Sequence, residues 1–492
     1  MSPVIEKNRD PVFAIALDLP RAGEGRLADA LHRQLRAAII DGRLAAGSAL
    51  PASRPAAEAL GVARKTVVAA YDLLVAEGYV VPRRGARAVV ADVAARRAPK
   101  PGPAAAHARS ALIAAAWRKP PPRHAAAVAP PERSFRTGVP EYRFFPHATW
   151  RRLSARALRQ WSKRPFGYPP VEGVPALREA IARHVAFSRA VACSGDDVVV
   201  TSGAQRAFDL LARLLVTPGH TRVAVESPGY PPLRLAFAAA GAEIVAVPVD
   251  DEGLRVDLLP GDVRVVCVTP SHQSPTGAAL SLARRAALLD HARRHDAVIV
   301  EDDYDGEFRY TARPLDALQT LDREARVFYV GTFSKSLFPA IDTGFVVVPA
   351  WARDPLLAVK RAGDSHAPAP LQHALAAFID EGHLARHVRR MTPVYARRRA
   401  ELLRALEGPL RPWFASIPSI AGLHLAARLE PSVDPRAVAE ALRRHAPGAQ
   451  TGAEYALQAD APPMAVFGYS VIDADAIGPA LGRLAQALAG WA

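Results

Sequence analysis

Hydrophobic positions along the chain follow two different periods, separated by a stretch that follows neither. Within residues 24–92 they recur every three or four residues. Leu27, Leu31, Leu35 and Ile39 share one helical face, and Gly42 ends that helix. Ser53 is placed to cap a short second helix. Gly61 supplies a turn before a third helix beginning near Ala63, whose buried stripe is Val67, Ala70, Tyr71, Leu74 and Val75. Gly78 ends it, and YVVPRRGARAVV (79–90) reads as two short strands turning at Gly85.

From about residue 135 onward, apolar runs alternate with helical segments. The runs are DVVVTSG (197–203), TRVAVES (221–227), EIVAVPVD (243–250), VRVVCVTP (263–270), DAVIVEDDY (296–304) and RVFYVGTFS (326–334). Continuous Val/Ile runs between helices predict an α/β domain with a mainly parallel sheet covered on both faces. A smaller α+β subdomain is expected from about residue 380. Between the two patterns, residues 93–134 are almost wholly Ala, Pro and Arg, with eight basic residues against one acid, Glu132. Such a stretch buries too little apolar surface to fold alone, so it reads as a linker, with an Ala-rich part near 104–116 able to form a transient helix.

Composition adds little to the fold and something to the partners. The 492 residues are half hydrophobic, enough for a large core, and 63 Lys and Arg against 48 Asp and Glu leave a net charge of +15. That excess suits a polyanionic partner, although an Arg-rich composition alone also produces it. Two cysteines, Cys193 and Cys267, fit neither a disulfide framework nor a metal-ligand spacing, so no metal is expected. The N-terminus lacks an apolar signal core and no run reaches about 18 apolar residues, so no membrane span is expected and a reducing cytoplasm fits best.

The N-terminal pattern is a winged helix-turn-helix, whose third helix would place its N-terminus in the major groove. That end carries Arg64, Lys65 and Thr66. Arg64 can pair bidentately with guanine, Lys65 can neutralise a phosphate, and Thr66 can meet a base edge or a phosphate. Arg54 opens the preceding helix, where a phosphate contact is expected, and Arg84 with Gly85 forms the wing tip. The segments IIDGRL, LPASR, LGVARKTV, AYDLL and EGYV resemble the GntR family of winged helices over nearly 70 residues. The resemblance implies a double-stranded DNA operator as partner.

The later domain carries its chemistry on loops after strands. In GTFSKSLFP (331–339), Lys335 lies in a loop where desolvation lowers a lysine's pKa and lets it form a Schiff base with a carbonyl. EDDYDGEFRY (301–310) follows a strand, and a buried Asp there can keep a pyridine nitrogen protonated. TSGAQRAFDLLARLL (201–215) passes through small residues into a helix, a good phosphate cradle. ESPGYPP (226–232) and TPSHQSPTG (269–277) are further turns after strands. Together, in this order, these motifs resemble fold type I aminotransferases, and with the GntR-like module in front the chain resembles the MocR subfamily of regulators.

The resemblance implies pyridoxal 5'-phosphate (PLP) as cofactor, with Lys335 as its Schiff-base lysine. Asp302 would pair with the pyridine nitrogen, with adjacent Asp303 as the one-residue alternative. Tyr304 would meet the ring hydroxyl and Tyr230 would stack on the ring. Gly203, Ala204 and Gln205 would offer backbone amides to the phosphate, and Thr332 its hydroxyl. Ser274 stands where aminotransferases have an Asn, while His272 and Gln273 match the MocR pattern. Tyr168, in FGYPPVEG, would reach a phosphate across a head-to-tail homodimer. Two positions depart from the pattern: Asp342 replaces a phosphate-binding Arg, and Val466 replaces an Arg for a substrate carboxylate. Arg206 offers a replacement cation, able to reach the phosphate or pair with Asp342, unless it is simply a solvated helix residue. The expected function is therefore a DNA-binding regulator that senses PLP, an amino acid or an amine as effector, with little or no transaminase turnover. The rival is a working aminotransferase with a DNA-binding arm.

Overall fold

Three helices and a short hairpin enclose the apolar positions of the N-terminal unit. Helix α1 spans Leu27–Ile40, α2 Ser53–Leu60 and α3 Arg64–Ala76, and strands β1 (Val80–Val81) and β2 (Val89–Val90) pair antiparallel. The computed structural model describes residues 12–13, 15–20, 27–83, 87–92, 112–113, 117, 131–163, 167–310, 316–457 and 463–490. Leu31, Leu35, Ile39, Val67, Ala70 and Leu74 are buried together, while Leu27, Tyr71 and Val75 lie at the margin. Gly61 and Gly78 adopt positive φ at the ends of α2 and α3, where the left-handed conformation closes a helix. Ser53 does not cap α2. It is the first helical residue, the cap is Ala52, and the Ser53 hydroxyl instead accepts a hydrogen bond from Arg64 Nε at 3.2 Å. Most of the expected linker, most of its Ala-rich part and the wing tip lie outside the described residues.

The C-terminal unit is built on an eight-stranded sheet. Its elements begin with helices α4 (His147–Trp161) and α5 (Pro175–Arg189). There follow β3 (Val198–Thr201), α6 (Gly203–Leu215), β4 (Arg222–Ser227), α7 (Pro231–Ala239), β5 (Glu243–Asp250), β6 (Gly253–Leu254) and β7 (Val265–Val268). Helix α8 (Leu282–Arg294), strands β8 (Val298–Asp303), β9 (Val327–Thr332) and β10 (Gly344–Val347), and helices α9 (Arg353–Gly363) and α10 (Ala369–Asp380) complete it. The strand order is β3-β10-β9-β8-β7-β4-β5-β6. Strands β5, β4, β7, β8 and β9 run parallel, as their apolar runs predict. Strand β10 runs antiparallel to both β3 and β9, which makes the sheet mixed. Alternate side chains cover both faces: Val199, Val300 and Val346 pack with α6, α7 and α9, whereas Val200 and Phe345 pack with α5 and α10, and Ile299 with α8.

A second, antiparallel sheet follows helix α11 (His383–Glu407). Its strands are β11 (Phe414–Ser416), β12 (His424–Leu429), β13 (Gln450–Thr451) and β14 (Met464–Gly468), in the order β11-β12-β14-β13. Helices α12 (Pro435–His445) and α13 (Ala474–Ala489) pack with α11 on this sheet around Phe414, Phe467 and Leu481. Phe135 joins that core, its ring edge-on to Phe467 at 5.8 Å, so residues from the start of the domain help build its last part.

Helix α11 also buries His387 edge-on against Phe145, and burial pushes its imidazole down to about 4. In the unfolded chain the same group titrates near 6.5. Between these values only the unfolded state binds the proton, so acidification costs up to about 1.4 kcal/mol per pH unit at this residue. His387→Gln is expected to flatten the fall in urea stability between about pH 6.5 and 4 by one proton's worth. Parallel slopes for the two proteins would show that His387 does not titrate on unfolding.

Candidate functional site

On the N-terminal unit, Arg54, Arg64 and Lys65 are exposed and Thr66 is half-buried. The bond from Arg64 to Ser53 ties the first residue of α3 to the first residue of α2. The Tyr71 hydroxyl donates to Pro51 O at 3.0 Å, a second tie between α3 and the entry to α2. Arg64 and Lys65 therefore open α3, the end that enters a groove in helix-turn-helix domains, and Arg54 follows Ser53 in the first turn of α2. Arg84 and Gly85 lie outside the described residues.

In the C-terminal unit, the loops after strands meet at one cavity of about 230 Å³. It is lined by Lys335, Asp302, Tyr304, Tyr230, Gly203, Ala204, Gln205 and Thr332, and also by Ser274 and Asp342. The Lys335 ammonium donates to Gly138 O at 2.8 Å. Burial pushes its pKa down, against the pull of Asp305 and Asp302. Strand β8 ends in Glu301, Asp302 and Asp303, whose directions alternate. Glu301 accepts from Leu318 and Gln319 N–H groups at 2.8 and 2.9 Å. Asp303 is held by Arg189 and by the Tyr329 hydroxyl. Asp302 faces the cavity, and among the described residues its Oδ1 is buried without a hydrogen-bond partner. Burial, with Asp303 nearby, pushes the Asp302 carboxyl well above its ordinary range. A buried oxygen left in this state costs about 1–3 kcal/mol unless a donor meets it. A protonated pyridine nitrogen is such a donor, so the ring end of the cavity fits a pyridine cofactor.

The other end is formed where α6 begins. Gly203 has φ +69, and a Cβ there would lie 2.7 Å from Asp342 Oδ1. Gly344 must also be glycine, because its Cβ would meet the Gly203 carbonyl carbon at 2.8 Å. This close approach of the β10 strand presses Asp342 against the cradle. Arg206 takes no part. It pairs with Asp209 and, through Nε, with Asp364 at 3.1 Å, so neither the expected pairing with Asp342 nor a reach into the cavity is seen. The reason is local: Asp209 lies one turn along α6, and Asp364 closes α9 beside it. Two negative charges about 4 Å apart repel by about 4 kcal/mol at an effective dielectric of 20. Asp342→Asn is therefore expected to tighten PLP binding about tenfold or more, read by titration of PLP absorbance. Unchanged or weaker binding would place the phosphate away from Asp342.

Several lining residues carry no motif signal in the sequence. Thr137, Gly138, Leu423, His424 and Tyr455 reach the cavity from segments far apart in the chain, and Asp305 reaches it from within EDDYDGEFRY, where it is not singled out. The Tyr304 hydroxyl lies 3.0 Å from His272 Nδ1, and the same nitrogen lies 3.0 Å from Asp305 Oδ2. Gln273 ties its loop to the end of β4: its amide donates to Glu226, Pro228 O and Ser274 O, and its oxygen accepts from Thr276. Val466 is fully buried between β12 and β13 and does not line the cavity. Tyr168 is 94% exposed and lies outside the cavity lining. Among the described residues no helix is long and apolar enough to cross a membrane.

Comparison with known proteins places both units. Residues 27–90 match the family of bacterial regulatory proteins of the gntR type, and residues 138–448 match aminotransferase class I and II. The probable rhizopine catabolism regulatory protein MocR of Rhizobium meliloti is 39% identical over 405 residues, covering 81% of this chain and 80% of its own. The pyridoxine biosynthesis transcriptional regulator PdxR of Corynebacterium glutamicum is 34% identical, covering 75% of this chain and 76% of its own. Among solved structures, the kynurenine aminotransferase of Pyrococcus horikoshii superposes with a TM-score of 0.68 at 26% identity, covering 74% of this chain and 92% of its own. The α-aminoadipate aminotransferase LysN of Thermus thermophilus, solved with a phosphopyridoxyl-leucine adduct, gives 0.66 at 26% identity, covering 73% and 92%. The chain belongs, on these matches and on the fold beneath them, to the MocR-type transcription regulators, DNA-binding proteins in which a gntR-family winged helix is joined to an aminotransferase-like domain.

Proposed function

We propose that this regulator binds PLP in the cavity around Lys335 and uses the loaded domain to sense a small-molecule effector. The observation that carries the reading is the buried Asp302 Oδ1, without a partner among the described residues, facing the same cavity as a half-buried lysine. Lys335 would hold the aldehyde carbon and Asp302 the ring nitrogen. Tyr304 would meet the ring hydroxyl, and Tyr230 would lie on the ring. Gly203, Ala204, Gln205 and Thr332 would take the phosphate. Bound PLP supplies an electron-withdrawing ring and an aldehyde that accepts primary amines. The protein's own part is to desolvate the lysine, keep a proton at the ring nitrogen and exclude water.

Among the described residues no arginine lines the cavity to meet a substrate carboxylate, which supports sensing over multiple turnover. Arg54, Arg64, Lys65 and Thr66, with Arg84 and Gly85 at the wing tip, would form the DNA contact. A head-to-tail homodimer would bring two such modules to one operator, and two-fold protein symmetry matches paired half-sites. Borohydride treatment of the PLP-loaded full chain, followed by peptide mass mapping, is expected to place the pyridoxyl group on Lys335. A label on another lysine, or a protein that stays colourless with PLP, would reject the reading.

A further inference from the structure

We propose that the effector selected by this cavity is an amine that carries no carboxylate, and that Asp305 is the residue that selects it. The inference rests on the PLP reading above and goes beyond it in naming the ligand's chemistry. It starts from the charges that meet there. Asp302, Asp305 and Asp342 all line the cavity, against the single cation Lys335, and no arginine lines it among the described residues. In the PLP reading Asp302 is taken by the ring nitrogen, Lys335 by the aldehyde, and Asp342 lies at the phosphate end. Asp305 is the acid that remains for a second ligand.

The carboxylate of Asp305 is held in a built setting. It lies 3.0 Å from His272 Nδ1 and accepts from the Leu423 N–H at 3.2 Å. Gly422 has φ +86, and a Cβ there would lie 1.9 Å from His272 Cε1 and 2.7 Å from Asp305 Oδ2. Only glycine lets the backbone come this close to both groups. His272 Nε2 is buried without a partner among the described residues, and the His424 ring packs on His272 at 4.6 Å between centroids. Burial pushes the His424 imidazole down to about 3, so at neutral pH it adds no positive charge to the wall. The donor atoms of His272, Asp305 and His424 lie within 4.8 Å of one another, but His272 Nδ1 already meets Asp305 and Tyr304, and His424 Nε2 already meets Pro275 O at 3.0 Å. The cluster is therefore a hydrogen-bonded mount for one carboxylate beside Lys335, whose ammonium feels Asp305 more strongly than Asp302.

A second carboxylate brought into this wall meets a fixed like charge and finds no guanidinium among the described lining residues. A ligand ammonium or hydroxyl group finds an acceptor. The competing chemistry is an anionic ligand read by Arg136, an exposed residue next to Thr137 that acts on Lys335 from outside the cavity lining.

The test uses the PLP-loaded full chain and three ligands of matched length: 1,4-diaminobutane, 4-aminobutan-1-ol and 4-aminobutanoate. Calorimetric titration is expected to give the two carboxylate-free amines a Kd at least about tenfold below that of the amino acid. Asp305→Asn is expected to bring the three within about threefold of one another. The wild-type ranking decides the matter even should that variant fail to fold. Tighter binding of 4-aminobutanoate would overturn the proposal, and its loss in Arg136→Gln would assign recognition to that arginine. Absence of binding by both amines to a coloured, PLP-loaded protein would also overturn it. A protein that takes up no PLP would instead reject the cofactor reading, and is recognised by its missing visible band before any ligand is added.

Discussion

Lys335→Ala is expected to abolish the visible absorption that PLP acquires when linked to the protein, and to weaken PLP binding by about a hundredfold or more. The expectation follows from how the lysine is held. Its ammonium donates to Gly138 O, and burial pushes it toward the neutral amine that attacks a carbonyl. No other described lysine is so placed. Lys360 is buried on α9 but bound to Asp364 at 2.9 Å, and Lys65 belongs to the DNA-binding unit. Spectral titration of wild type and variant measures the effect. Retention of the band in the variant would move the attachment to another residue. Unchanged operator binding without PLP in the variant would show that its fold is intact.

Arg64→Ala is expected to have the largest effect on DNA. A bidentate contact to guanine is worth about 1–3 kcal/mol, so affinity for the specific site falls about tenfold to a hundredfold while binding to random DNA changes less. If Arg64 touches a phosphate instead, affinity falls on all sequences alike and the log–log salt slope drops by about one. Titration of the protein's own upstream region and of random duplex across salt concentrations separates the two. Equal affinities of wild type and variant on both DNAs would remove Arg64 from the interface. Ser53→Ala is expected to produce a smaller loss of the same kind, since Ser53 holds the Arg64 guanidinium by its Nε.

Much of this protein was legible before its structure. The three-helix unit rests on contacts between near neighbours in sequence, so its periodicity and turn glycines located α1, α2, α3 and the wing strands. The parallel strands β4, β5, β7, β8 and β9 were visible as apolar runs because burial on both faces removes the polar alternation. The loop motifs also announced Lys335, Tyr230, Tyr304 and the Gly203 turn, because each follows directly from a strand end.

Other features depend on contacts between distant segments. The antiparallel course of β10 is set by its partners β3 and β9, and no feature of Gly344–Val347 alone records it. Which of Asp302 and Asp303 faces the cavity is a one-residue register on β8, and such a slip exchanges the two faces of a strand. Packing sets it, by giving Asp303 to Arg189 and Tyr329 and turning Asp302 to the cavity. Arg206 stood beside the phosphate cradle in sequence, yet Asp364, over 150 residues away, draws it aside. His424 and Tyr455 had no motif to mark them, because each reaches the cavity only where the second sheet closes on the first; Asp305 lies inside the EDDYDGEFRY stretch but is not singled out there. By itself the sequence determined the two kinds of unit and the loops that carry chemistry, since local periodicity and strand-end motifs are written in adjacent residues. The tertiary structure alone decided which charges face the cavity, since that depends on side chains from distant segments competing for the same partners.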